Sequence, residues 1–128
     1  MCMKRLIYPL IFLTLGSCYI FDFESQSYTI DQLDELYQEI ISLAESKECS
    51  NAEDWDFVAL GSKPCGGPWE YIAYSKKINV EDFLDKVAHY NELQREDNIR
   101  NNRFSNCMYV GPPSDVVCEA GKAVLVYD

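Results

Sequence analysis

Residues 55–75 read WDFVAL-GSKPCGGPW-EYIAYS, two apolar stretches on either side of a segment rich in glycine and proline. Residues 55–60 and 70–75 are rich in aromatic and aliphatic side chains, which predicts two short strands. Glycine and proline concentrate between them, which predicts a loop over residues 61–69. Alternate side chains of the first strand are expected to share one face: Trp55, Phe57 and Ala59.

An amphipathic helix is predicted before these strands. Thr29 and Gln32 fit a capping box, and Tyr28 and Leu33 are placed for a hydrophobic staple. We expect this helix to end near residues 47–48. Its apolar stripe recurs at three and four residues: Ile30, Leu33, Leu36, Tyr37, Ile40, Leu43 and Ala44.

A second helix is predicted after the strands. Asn79 is its expected N-cap, with Ile78 and Phe83 as its staple, and its end is expected between residues 96 and 100. Its core-facing side chains are expected to be Phe83, Leu84, Val87, Ala88 and Tyr90.

Three more short strands are predicted at residues 107–110, 115–119 and 123–127, separated by Gly111-Pro112-Pro113 and Ala120-Gly121. Their connections are too short for parallel crossovers. The element order favours an α+β fold, with two helices packed on one face of a small, mostly antiparallel sheet of four to five strands. A single disulfide-stapled domain is expected from residue 28 to residue 128.

The amino terminus has the pattern of an exported protein. Two basic residues, Lys4 and Arg5, precede an apolar run over residues 6–15 that is too short to span a bilayer. Leu15-Gly16-Ser17-Cys18 then resembles the bacterial lipobox. The resemblance implies a lipoprotein signal peptide over residues 1–17. It also implies a diacylglycerol on the Cys18 thiol and a further acyl chain, such as palmitate, on the new amino terminus. After a plain signal peptide, Cys18 would be an ordinary residue.

Residues 18–27 are interpreted as a lipidated tether, or alternatively as an edge strand in part. Two or three acyl chains would hold the chain stably at a membrane. The expected location is therefore the bacterial cell envelope, with the domain exported to the periplasm or the cell surface.

Four cysteines remain beyond Cys18: Cys49, Cys65, Cys107 and Cys118. An even number in an exported chain predicts two disulfides. Zinc is the weaker alternative because no Cys-x-x-Cys pair is present. Three pairings are open, and Cys49–Cys65 with Cys107–Cys118 is favoured because each closes a short local loop worth about 3 kcal/mol.

Charge excludes several functions. The 128 residues carry 21 acidic and 11 basic side chains, a net charge of −10, and removing residues 1–17 makes it −12. Such a chain lacks the clustered lysine and arginine that a nucleic-acid backbone requires. We expect no nucleic-acid partner, no metal and no cofactor.

Catalytic chemistry also lacks a predicted residue set. The single histidine, His89, is expected on the solvated side of the second helix near Asp85, with no serine or free cysteine placed to complete a triad. The acidic cluster Glu53, Asp54 and Asp56 lacks EF-hand spacing and is interpreted as the solvated start of a strand. We therefore predict that the protein is not an enzyme.

The motif Cys65-Gly66-Gly67-Pro68-Trp69 is the clearest candidate for a binding loop. Its glycines allow positive φ or the close approach of another backbone, and its proline stiffens the chain. A disulfide-stapled loop binds tightly because little conformational entropy is left to lose. An ordinary tight turn is the plainer interpretation.

Several segments together resemble a family of small uncharacterised bacterial envelope proteins, with a motif of the G-x-K-x-C-G-G-P type. They are Gly61 to Pro68, Tyr71-Ile72-Ala73-Tyr74-Ser75, Tyr90-Asn91 and Ser105-Asn106-Cys107. The resemblance covers about Cys49 to Cys118. Members often carry a cysteine two residues after a late glycine, where this chain has Ala123. The resemblance implies a fold unit and an envelope location, and no chemistry.

Three functions stay open. The favoured one is a non-enzymatic, membrane-anchored envelope lipoprotein whose domain binds another envelope protein, in the manner of an inhibitor for example, through Gly66, Gly67, Pro68 and Trp69. The alternative is a structural or assembly accessory of the envelope. The third is a small hydrolase or ligand-binding enzyme that uses His89 or a carboxylate pair.

Overall fold

The computed structural model describes residues 30–128. Predictions for the signal peptide, Cys18, the tether and the caps at Tyr28 and Thr29 fall outside the described residues. The elements are α1 (Ile30–Ala44), β1 (Trp55–Leu60), β2 (Glu70–Ser75), α2 (Val80–Arg100), β3 (Asp115–Glu119) and β4 (Lys122–Val126), with a 3₁₀ turn at Ala52–Asp54. The prediction of an α+β fold is confirmed.

The β1–β2 hairpin carries the main core on one face. The strands pair antiparallel with Val58 opposite Ile72 and Phe57 opposite Ala73. Opposed residues share a face, and neighbouring pairs point to opposite faces. The helices cover the face of Val58 and Ile72. Its buried core consists of Ile40, Ala44, Leu60, Ile72, Tyr74, Phe83, Val87 and Tyr90.

The other face of this hairpin is covered by the β3–β4 hairpin. Trp55, Phe57 and Ala73 meet Val116 and Cys118 of β3 and Ala123 and Leu125 of β4 in a second cluster. The β1–β2 hairpin is therefore the middle of three layers, with helices on one side and a second hairpin on the other.

The prediction of a single sheet of four to five strands is wrong, because the described residues form two separate two-stranded antiparallel sheets. β3 and β4 bury their apolar face across the first hairpin instead of extending its edge. The strand predicted at residues 107–110 is also absent, since this segment is held by a disulfide and by a hydrogen bond from the Lys63 side chain to the carbonyl oxygen of Met108.

The helix boundaries follow local hydrogen bonding. α1 ends at Ala44, before the expected residues 47–48, because both the backbone N–H and the hydroxyl of Ser46 donate to the carbonyl oxygen of Leu43, at 3.2 and 2.7 Å. Asn79 caps α2 as predicted, its side chain accepting from the N–H of Asp82. The prediction for Ala88 is wrong, since this residue is exposed.

The disulfides pair Cys49 with Cys118, which we call the core disulfide, and Cys65 with Cys107, which we call the loop disulfide. The favoured pairing of sequence neighbours is therefore wrong. Cys49 lies against the β3–β4 turn, where its N–H donates to Gly121 at 2.8 Å, and Cys65 lies at the tip of the β1–β2 hairpin. Layering, and not distance along the chain, decides the partners. By loop entropy each bond is worth about 4 kcal/mol.

Candidate binding site

Residues 61–69, the connection from β1 to β2, fold back on themselves. The N–H of Trp69 donates to Leu60 at 3.1 Å, and the N–H of Lys63 donates to Gly67 at 2.9 Å. The N–H of Gly66 in turn donates to Lys63 at 2.8 Å, which closes a turn at the tip. The loop therefore has internal hydrogen bonds that continue the hairpin to its end.

Three side-chain amides of α2 hold the first part of this loop. Asn91 accepts from the N–H of Gly61 at 2.6 Å and donates to Ala59 at 3.3 Å. Gln94 accepts from the N–H of Ser62 at 2.5 Å, and Asn98 donates to the carbonyl oxygen of Ser62 at 2.7 Å. At helical spacing these amides form one stripe, which satisfies the loop backbone as a strand partner would.

Gly61 makes this close approach sterically feasible. A Cβ built at Gly61 would lie 2.8 Å from Cδ1 and 3.1 Å from Cβ of Trp69, and 2.9 Å from Oε1 of Gln94. Its φ is +85°, a backbone conformation that residues other than glycine rarely adopt. Sequence reasoning assigned importance to Gly66 and Gly67 and missed Gly61.

Lys63 ties the loop to the segment after α2. The residue is only 6% exposed, although burying a charged ammonium group is costly unless it is hydrogen-bonded. Its Nζ donates to the carbonyl oxygen of Met108 at 2.8 Å and to Oδ1 of Asn106 at 3.4 Å. It also lies 5.2 Å from the centroid of the Trp69 ring, in cation–π range.

The loop disulfide adds a covalent link between the same two segments, with 5.4 Å between the two Cα atoms. Together these contacts fix residues 61–69 against α2 and against the segment that follows it, and we call residues 61–69 the braced loop. Its tip stays open, because nothing lies within 4 Å of a Cβ built at Gly66 or Gly67. Trp69 is 42% exposed, so it is a surface side chain.

A groove of about 440 Å³ runs beside the braced loop. Trp69 and Phe104 line it together with the first turns of α1, including Ile30. At its base the hydroxyl of Tyr37 donates to Glu70 at 2.8 Å. Burial and this hydrogen bond raise the pKa of Tyr37 to about 12. Burial also raises the pKa of Tyr90.

Exposed apolar side chains concentrate around this end of the molecule. Of the eight large ones that are exposed in residues 30–128, two lie on the β3–β4 hairpin or just after it. Of the other six, Ile99 lies in the last turn of α2, and five lie on the braced loop, the groove or the segment joined by the loop disulfide: Ile30, Trp69, Phe104, Met108 and Tyr109.

A second cleft of about 460 Å³ opens between the end of α1, β2 and β4. Its floor contains Trp55, Ile72 and Leu125, and its rim carries both acidic and basic side chains, among them Glu48 and Lys122. The cleft has no concentration of one charge sign.

None of the candidate catalytic groups His89, Glu53, Asp54 and Asp56 lines the groove or the cleft. His89 is exposed and lines neither groove nor cleft. Asp54 pairs with Lys77 at 2.6 Å, and Glu53 and Asp56 are exposed near it. No helix within residues 30–128 combines the length and apolar character needed to cross a bilayer. The two disulfides are typical of a chain that folds in an oxidising, exported compartment.

Comparison with known proteins found no matching family model, no matching curated protein and no matching solved structure.

Proposed function

We propose that this chain is a lipid-anchored protein of the bacterial envelope, and that its domain acts without catalysis, by binding another envelope protein through the braced loop. The lipobox-like sequence before Cys18 supports the anchor. The two disulfides fit an exported location.

The observation that carries the binding proposal is the combination of a fixed backbone with an open tip. The braced loop is held by three amides of α2, by Lys63 and by a disulfide, yet the space beside its tip is open, since a Cβ at Gly66 or Gly67 would meet nothing within 4 Å. A preorganised segment loses little entropy on binding. The bare backbone of the tip also allows a partner to approach more closely than any side chain would permit.

The test places a side chain at the tip without disturbing the fold. Gly67 has a φ of +80°, and asparagine tolerates this region better than other residues with a side chain. Gly67→Asn is expected to leave thermal stability nearly unchanged and to lower capture of the envelope partner in cells at least tenfold. Ala120→Asn, at the turn between β3 and β4, is the matched control and is expected to capture normally.

Capture would be measured by photo-cross-linking from Pro68, which is next to the tip. Loss of the cross-linked species in Gly67→Asn alone supports the proposal. An equal yield from both variants refutes it, and in that case a role as a structural accessory of the envelope, which does not need the tip, becomes the better account.

A further inference from the structure

The surface next to the braced loop has a composition that differs from the rest of the domain. Residues 98–114 contain two arginines and no carboxylate, whereas residues 30–128 as a whole contain nine basic and 19 acidic side chains. The same segment carries the most exposed apolar side chains of the described chain, with Phe104 at 94% and Tyr109 at 85% exposure. We call Ile99, Arg100, Phe104, Met108 and Tyr109 the aromatic strip.

We propose that the aromatic strip docks on the anionic phospholipid headgroup layer of the membrane that carries the protein. Tyrosine, phenylalanine and other apolar side chains beside arginine are the composition that favours this interface, where apolar groups reach the acyl boundary and cations meet phosphates. This inference rests on the proposed lipid anchor, and it adds how the domain is oriented.

The distribution of charge favours the aromatic strip over the rest of the domain as the surface that faces an anionic membrane. An anionic surface attracts basic groups within a Debye length and repels the carboxylates that cover the rest of the domain. Arg100 is exposed and has no ion pair within residues 30–128. Arg103 pairs with Asp97, whose side chain is 13% exposed, so this nearby carboxylate is neutralised. Glu96, one turn before Arg100 on α2, is the exposed carboxylate closest to it along the chain, and the other carboxylate of the groove, Asp34, lies on α1.

The position of the amino-terminal end of the domain also favours docking through the aromatic strip. Ile30, where the described structure begins, lines the same groove as Phe104. Cys18 precedes Ile30 by twelve positions, a span of at most about 40 Å. A lipid on Cys18 therefore keeps the membrane within reach of the end of the domain that bears the strip. Docking there would hold the braced loop at the lipid–water interface, so that its partner is a protein which itself lies at the membrane.

The strip is tested with the full lipidated protein in vesicles of phosphatidylglycerol and phosphatidylethanolamine whose acyl chains carry bromine, which quenches nearby tryptophan. Phe104→Trp places a probe in the strip, and Val124→Trp places the control probe on exposed β4. We expect the added emission of Phe104→Trp to be quenched at least threefold more than that of Val124→Trp. Quenching should fall in vesicles of phosphatidylcholine alone.

A charge reversal provides the second arm. Arg100→Glu, made in the Phe104→Trp protein, is expected to reduce the docked fraction about fivefold or more, while the same reversal at exposed Lys122 on β4 should not. Equal quenching of the two probes, or no effect of Arg100→Glu, overturns the inference. Loss of partner capture in Arg100→Glu without any quenching of the strip probe also overturns it, by assigning the strip to the protein partner.

Whether the protein carries a lipid is determined in a separate experiment, by measuring the mass of the protein extracted from membranes. If that mass shows no lipid, the same quenching is measured against increasing concentrations of added vesicles. Quenching that saturates with lipid then supports the strip although the anchor has failed, and its absence removes both.

Discussion

Replacing Gly61 by alanine is expected to destabilise the protein far more than replacing Gly66, although both glycines have similar positive φ, +85° and +94°. The left-handed conformation costs an alanine about 1–2 kcal/mol at either position. At Gly61 the new methyl group also meets Trp69 at 2.8 and 3.1 Å and Gln94 at 2.9 Å, whereas at Gly66 it meets nothing within 4 Å.

The neighbours of Gly61 have little room to move. The Gln94 amide can rotate away only by releasing its hydrogen bond to Ser62, and the Trp69 Cβ is held because the Trp69 N–H bonds Leu60. Overpacking of this kind costs about 1–3 kcal/mol. We therefore expect Gly61→Ala to lose about 2–5 kcal/mol and Gly66→Ala about 1–2 kcal/mol.

The assay is urea unfolding of the oxidised proteins, followed by tryptophan fluorescence and by far-ultraviolet circular dichroism. Both variants are compared with the unsubstituted chain at the same pH. Equal free energies of unfolding for the two variants would refute the packing of the braced loop against α2. A larger loss at Gly66 would show that the tip is not open.

Three further predictions concern the turn between β3 and β4, the order in which the disulfides are reduced, and the loss of stability at alkaline pH. Ala120 has a φ of +50°, so Ala120→Asn should raise the free energy of unfolding by about 1 kcal/mol, and a loss would contradict the turn geometry. The loop disulfide joins two exposed cysteines, whereas Cys49 of the core disulfide is 4% exposed. With limiting reductant, the loop disulfide should therefore be reduced first, as measured by thiol labelling and peptide mapping. Labelling of all four cysteines at the same rate would contradict this order. Because the pKa of Tyr37 rises from 10.0 to about 12 on folding, its contribution to stability is complete below pH 10 and is lost as the pH rises towards 12. Tyr37→Phe should reduce the fall in the free energy of unfolding between pH 10 and pH 12. An unchanged dependence of that free energy on pH would contradict the burial of the Tyr37 hydroxyl.

Local patterns along the chain predicted the secondary structure well, because they report short-range physics. The first two strands occur at the predicted residues, Asn79 caps the second helix, and the Ala120-Gly121 turn joins two strands. These features depend on alternation, side-chain capping and turn chemistry within a few residues.

The arrangement of the layers could not be predicted in the same way. Whether a second hairpin extends a sheet or lies across it depends on which apolar faces meet, and both choices bury Val116 and Leu125. The disulfide partners follow from that choice, so preferring sequence neighbours gave the wrong pairs.

The candidate site was located in part. The glycine-rich tip was identified, since a Cys-Gly-Gly-Pro loop between strands is visible in the sequence. The side chains that support the tip were missed, although Asn91, Gln94 and Asn98 recur at helical spacing within a helix rich in charged residues. A stripe of uncharged amides beside such a loop is a signal that could have found them, because amides satisfy exposed backbone groups.

The proposed function requires both a braced loop and a lipid anchor on Cys18. Intact and peptide-mapped mass spectrometry of the protein extracted from membranes, before and after reduction and with thiol labelling, tests both parts together. The predicted result is a chain that begins at Cys18 and carries acyl groups, with no free thiol and with Cys49 linked to Cys118 and Cys65 to Cys107. A chain without lipid would contradict the anchor, and free thiols at Cys65 and Cys107 would contradict the braced loop.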